Sequence, residues 1–232
     1  MSLNIRNAKS GISYPPLEAG TYVGVCCSVV DLGLQKTSYN GNDREVNQIL
    51  LTFEIPDELI EYDNEMKPRW ISNTYTFSMN EKSRLRNDLK TWRGRDFTET
   101  EMKDYNLAKL LGAPCMVNVT NTLKNGNVYA GIGSIVKLPK SVQPGSIVPS
   151  KKFQFDIDDR DTWAVFPELP QWVQDRVNGS LTLKNAGIRI DKDGKPYEFT
   201  VLPDSKVGQE EQTTEADISF SDIPIDDEDL PF

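Results

Sequence analysis

The chain has 232 residues, with 26 Lys and Arg against 35 Asp and Glu, a formal net charge of −9, three cysteines and no histidine. That length suits one good-sized domain with appendages, and a folded body of about 200 residues buries roughly 70% of its unfolded surface without needing a metal or disulfide staple. Lack of histidine and of any C-x-x-C spacing excludes a conventional zinc centre, no cofactor is expected, and no uncharged run approaches the length of a membrane span, so a soluble cytosolic chain is expected.

The charge is unevenly placed. From Val207 onward there are nine acids and no base, which leaves 26 acids against 26 bases in residues 1–206. The body is formally neutral and the whole excess sits in a tail too polar and too like-charged to bury a core, the composition of a disordered interaction segment.

In chain order, a polar lead ends at Gly20 and residues 21–30 (TYVGVCCSVV) are β-rich. Asn40-Gly41 supplies a hairpin turn. In residues 48–55 (QILLTFEI), Ile49, Leu51, Phe53 and Ile55 alternate with Gln48, Thr52 and Glu54, the period of a half-buried strand, with Leu50 as the exception. A polar connector holding Pro56 and Pro68 leads to a third strand over 69–79 (RWISNTYTFSM). Residues 80–92 then predict a helix, N-capped by Asn80, with Leu85, Leu89 and Trp92 at i, i+4 and i+7. A second helical stretch over 98–112 stops at Gly112. Strands at 115–122 and 128–137 surround a second Asn-Gly turn at Asn125-Gly126.

Beyond Pro139 the chain loosens around Pro144, Gly145 and Pro149, then regains apolar content with Trp163, Val165 and Phe166. A short helix is expected near 170–177, and Asp193-Gly194 marks a last turn. Five strands with a helix between the third and fourth is the order of the OB-fold, a five-stranded Greek-key barrel. The expected fold class is therefore mainly β, with a helical insert and a C-terminal extension. The domains expected are a barrel over 1–140, an extension packed on it over 141–203, and a disordered acidic tail over 204–232.

The final residues, DIPIDDEDLPF, place Asp226, Asp227, Glu228 and Asp229 directly before Leu230, Pro231 and Phe232. This ending resembles the C-terminal tip of bacterial-type single-stranded DNA-binding proteins, and the strand order ahead of it resembles phage-encoded members of that class; pieces such as EAGTY and LAKLLGAP are reminiscent of small phage replication and recombination proteins. The resemblance implies a protein that coats single-stranded DNA in the (host) cytoplasm without strong sequence preference. It also implies that residues 226–232 recruit replication or recombination proteins. A terminal ring and carboxylate behind a run of acids suit an apolar pocket rimmed by Lys and Arg.

Sequence-tolerant binding of single strands needs cations along the backbone and aromatic faces for the bases. On the OB-fold platform of strands two and three, with the first and last hairpin loops as flanks, the candidates are Lys36, Tyr39 and Arg44 in the first hairpin, Arg69, Trp70 and Tyr75 in the third strand, and Lys124 and Tyr129 in the last hairpin. Trp70 shares its parity with Ser72, Thr74 and Thr76, the more polar face, whereas Phe77 is expected in the core. The helical insert carries a dense basic run from Lys82 to Arg95, read first as a solvated helix face and second as a phosphate track.

No enzyme is expected. The acidic DIDDRD at 156–161 departs from a calcium loop at the positions held by Arg160, Asp161 and Pro167, and GIGS at 131–134 lacks a P-loop lysine. The rival reading is a β-barrel adaptor that recruits partners by its tail without binding nucleic acid. Self-association stays open in either case.

Overall fold

The computed structural model describes residues 15–39, 41–62 and 64–199; the tail tip from Asp226 to Phe232 lies outside them. Three long antiparallel strands open the fold: β1 (Gly20–Tyr39), β2 (Asn42–Tyr62) and β3 (Glu65–Thr76). Helices α1 (Arg84–Arg93) and α2 (Glu99–Asp104) follow, then a 3-10 turn at Leu107–Leu110 and the hairpin β4 (Pro114–Lys124) and β5 (Asn127–Val136). The extension adds β6 (Phe153–Phe155), a 3-10 segment at Arg160–Glu168, helices α3 (Gln171–Asn178) and α4 (Leu181–Asn185), and a small hairpin of β7 (Ile188–Ile190) and β8 (Pro196–Glu198).

The main sheet runs β3-β2-β1-β4-β5, and β6 adds a sixth strand parallel to β1. The expected mainly β, antiparallel architecture is present, no closed barrel is found among the described residues, and two features depart from a simple five-stranded one. The extension contributes a strand to the sheet, and β3 and β5 end its path without a hydrogen-bonded ladder between them among the described residues. Helix α1 lies across that seam. Its Arg84 donates to the Ile132 carbonyl of β5, Thr91 donates its hydroxyl to the Ile135 carbonyl at 2.6 Å, and Asp88 accepts from the Tyr75 hydroxyl of β3 at 2.9 Å. On β5, two backbone carbonyls thus find side-chain donors from α1, which lessens the pressure on that edge to pair.

The β1 strand is apolar on both parities because both its faces are covered. One face, with Cys26, Val29 and β2's Ile49, Leu51, Phe53 and Ile55, packs against α1's Leu85, Leu89 and Trp92. The opposite face, with Val30, Leu32 and Leu50, receives Phe153, Phe155, Trp163 and Phe166 of the extension and Val173 and Val177 of α3. Leu50 breaks the alternation of β2 for this reason: a sheet buried on two sides needs apolar residues at both parities. A bulge at Gly33, with φ of +71°, lets the extension approach. A Cβ there would meet Ile157 at 2.7 Å and Thr182 at 2.9 Å.

Three local expectations are revised. The proline-bearing connector at 56–68 is a hairpin in which β2 and β3 stay paired out to Tyr62 and Glu65 past an irregularity between Ile55 and Leu59. Pro56 and Pro68 fall at that irregularity and at the pairing beside it, where a missing donor is tolerated. The N-cap of α1 is Ser83, whose side chain accepts from the Arg86 backbone, rather than Asn80. The second helical stretch is a short α2, started by a Thr98–Glu101 capping box, followed by a separate 3-10 turn. The turn at Asn125-Gly126 has both residues at positive φ, 52° and 81°, as a two-residue hairpin loop requires.

Candidate nucleic-acid interface

Strand alternation puts Arg44, Val46, Gln48, Leu50, Thr52 and Glu54 of β2 on one face, and their β3 partners Trp70, Ser72, Thr74 and Thr76 lie beside them. This is the face that the extension covers over β1 and β2. Its β3 margin stays partly open. Between that margin and α3 lies a cavity of about 200 Å³. The sheet supplies Ser28, Val30, Leu50, Thr52, Trp70 and Ser72; the extension supplies Phe153 together with Leu169, Pro170, Trp172 and Val173.

Trp70 is the sequence candidate that the fold places in this cavity, and it is 42% exposed. Its indole is held from below. The Nε1–H donates to Oε2 of the buried Glu54 at 3.1 Å, and its ring meets Phe153 edge-on with centroids 5.7 Å apart. Glu54 in turn accepts from the Ser150 backbone N–H at 3.0 Å and from the Ser150 hydroxyl. One buried carboxylate therefore ties an aromatic on β3 to the strap ahead of β6, with its charge satisfied by hydrogen bonds on each side.

The other candidates are dispersed. Arg44 shares Trp70's face but lies ten β2 positions from Glu54, Trp70's partner, about 33 Å along an extended strand. Lys36 pairs with Glu45 and so belongs to the opposite face. Tyr39 is the last residue of β1, paired with Asn42. Lys124 and Tyr129 sit in the β4–β5 arm, which projects beyond the N-terminal end of β1, while the β1–β2 arm leaves its other end. The Arg69 guanidinium donates to the Pro15 carbonyl.

Two aromatic assignments are reversed. Tyr75, proposed as a stacking residue, is 1% exposed, and its hydroxyl is bound to Asp88, so its ring is core. Phe77, expected in the core, is 49% exposed because β3 ends at Thr76 and the chain turns away. Burial drives the Tyr75 phenol well above its usual range and also raises Asp88.

Sequence reasoning missed Trp172, which is 44% exposed in α3. The signal was present, since Val173 and Val177 define the buried face of that helix and leave Trp172 beside it. One turn further on, Arg176 reaches down to Gln48, with Nη2 donating to its Oε1 at 2.6 Å.

Five cations of the basic run, Arg84, Arg86, Lys90, Arg93 and Arg95, are engaged within the protein, Arg84 with Asp88 at 3.6 Å. Arg86 and Lys90 pair with Asp96 at 3.2 and 3.1 Å, and Arg93 and Arg95 pair with Glu101 at 2.8 and 2.6 Å. Hydrogen bonds from the Phe97 backbone and from Lys90 and Arg86 hold Asp96 down to about 2, and those from Arg95, the Thr98 backbone and Arg93 lower Glu101 further. These acids staple α1 to α2 and take up the cations that a phosphate track would use.

As to other chemistry, the carboxylates of Asp31, Asp156 and Asp158 converge, with their oxygens within 4.8 Å of one another. Asp31 also accepts from the Gly33 N–H at 2.8 Å, and Asp156 from the Asp158 N–H at 3.0 Å. Burial, with the charges of Asp156 and Asp158, raises Asp31 to about 6. The three thiols are buried, and burial pushes Cys26 up to about 12 and raises Cys27 and Cys115 as well, so none is poised as a nucleophile. Among the described residues no helix is long and apolar enough to cross a membrane. Compared with known proteins, the chain matches no family model and no curated sequence.

Proposed function

We propose that the chain is a single-stranded DNA-binding protein of phage type, an OB-like body that holds unpaired strands and an acidic tail that recruits replication or recombination proteins. In this reading the five-strand path is an OB barrel in which α1 takes the place of the β3–β5 closure. The observation that carries it is the half-exposed Trp70 on the hydroxyl-rich face of β3, propped by a buried carboxylate beside an aromatic cleft on the same face as Arg44. Rings with one open π-face accept any base, and cations spaced along the hairpin arms accept phosphates. Binding involves no chemical step.

The test is a titration of a labelled dT oligonucleotide by anisotropy over a range of salt, alongside duplex DNA and RNA of the same length. Tight binding at low salt, weakening steeply as salt rises and quenching tryptophan emission, is expected. Trp70→Ala should weaken it by about 1–3 kcal/mol. A parent chain that binds no oligonucleotide at low salt but still captures replication proteins through residues 226–232 would instead make it an adaptor.

A further inference from the structure

We infer that the cleft between the sheet and α3 is a pocket for one unstacked heteroaromatic ring, a nucleobase turned out of the strand, and that Trp172 of the extension is part of its wall. This rests on the nucleic-acid reading and adds to it a residue and a mode of contact that the open strand platform does not provide.

The lining sets the chemistry of the occupant. Trp70 and Trp172 each leave over two-fifths of their surface in water at the mouth of the same cavity, with the Phe153 ring beside Trp70. Large, partly exposed indoles lining one cavity favour a flat ring. The cavity also presents the hydroxyl-bearing Ser28, Thr52 and Ser72 amid apolar neighbours. The carbonyl, amino or ring-nitrogen edge of a base can hydrogen-bond with such hydroxyls, which a hydrocarbon ring cannot.

No Lys, Arg, Asp or Glu lines the cavity. Glu54, behind Trp70, is turned to the indole N–H and to Ser150. The pocket therefore recognises a ring and not a phosphate. At about 200 Å³ it admits a base and not a run of backbone. Phosphate contacts are made elsewhere, so the contribution of Trp172 is insensitive to salt.

The experiment uses the full chain and two probes of equal length, a labelled dT oligonucleotide and an abasic deoxyribose-phosphate strand, each titrated across salt. Trp172→Ala should weaken dT binding about 5- to 150-fold with an unchanged salt slope. It should leave abasic-strand binding as in the parent, and Trp172→Phe should restore most of the loss. Thermal unfolding of the variant should stay close to the parent because the side chain is half exposed. A variant that binds dT like the parent, or that loses equally on the abasic strand, overturns the pocket while leaving the single-strand reading intact. A parent that binds neither probe overturns that reading, and the pocket with it.

Discussion

A single ionisable side chain gives the clearest pH signature. Asp31 sits at a β1 bulge, partly buried and facing Asp156 and Asp158, and its carboxyl is raised from 3.8 to about 6. A carboxyl with a raised folded pKa holds its proton more tightly in the native than in the unfolded chain. Its contribution to stability is therefore present at low pH and lost as pH rises from about 4 to about 6. At neutral pH the charge is a liability. Asp31→Asn keeps an oxygen for the Gly33 N–H and removes the charge, so it should raise the thermal midpoint at pH 7.5, by about 2–4 °C for each kcal/mol recovered, and give no gain near pH 4. An equal gain at both pH values in a thermal melt would show that repulsion and burial of charge are not the cause. The reversal of Tyr75 and Phe77 belongs to this scale too. Alternation correctly separates Trp70 from Ile71, but burial also depends on where the strand stops, and Thr76 ends it one residue before Phe77.

Among elements, β6 is the joint between sheet and extension. Its Phe155 is buried, near-parallel to Trp163 with centroids 6.5 Å apart and tilted against Phe166 at 5.7 Å. Phe155→Ala should cost about 3–5 kcal/mol, read as a lower denaturant midpoint. Limited proteolysis should then cut within 141–199 before the main sheet is attacked. If the extension stays resistant while global stability falls, β6 is an integral sheet strand and not the hinge of a separable layer. The insert behaves differently, because its ion pairs hold α1 and α2 together at the surface. The two lowered acids, Asp96 and Glu101, stabilise those contacts above the usual carboxylate range and release them only as pH falls through their own depressed values.

For the whole molecule, the division of charge matters more than its sum. A body with 26 acids and 26 bases can attract a polyanion only by polarising them, and within α1 Arg84 pairs with Asp88, Arg86 and Lys90 with Asp96, and Arg93 with Glu101. In the proposed single-strand reading, Lys36, Arg44 and Lys124 on the hairpin arms contribute to the field that draws in a strand. The nine acids after Val207 would compete for the same cations. Deleting residues 223–232 should leave oligonucleotide affinity unchanged or slightly higher, measured by anisotropy, while abolishing capture of replication or recombination proteins. Loss of oligonucleotide binding on deletion would contradict the assignment of separate tasks to body and tail.

Strand order, the Asn-Gly turn at 125–126, the apolar face of α1 and the uneven charge were legible in the amino acids alone, because period, turn chemistry and composition are local properties of a chain. The aromatic on the polar side of β3 was legible for the same reason. What covers the second side of the sheet was not: Leu50 out of phase and apolar residues at both parities of β1 were visible, but only packing shows that a segment more than 100 residues later supplies the cover. The cleft depends on that distant contact, since Trp70 and Trp172 become neighbours through tertiary burial and not through any spacing along the sequence. Closure of the sheet was likewise decided in three dimensions, where Arg84 and Thr91 of one helix bond β5 carbonyls, Asp88 bonds the Tyr75 hydroxyl of β3, and no hydrogen-bonded ladder joins β3 to β5 among the described residues.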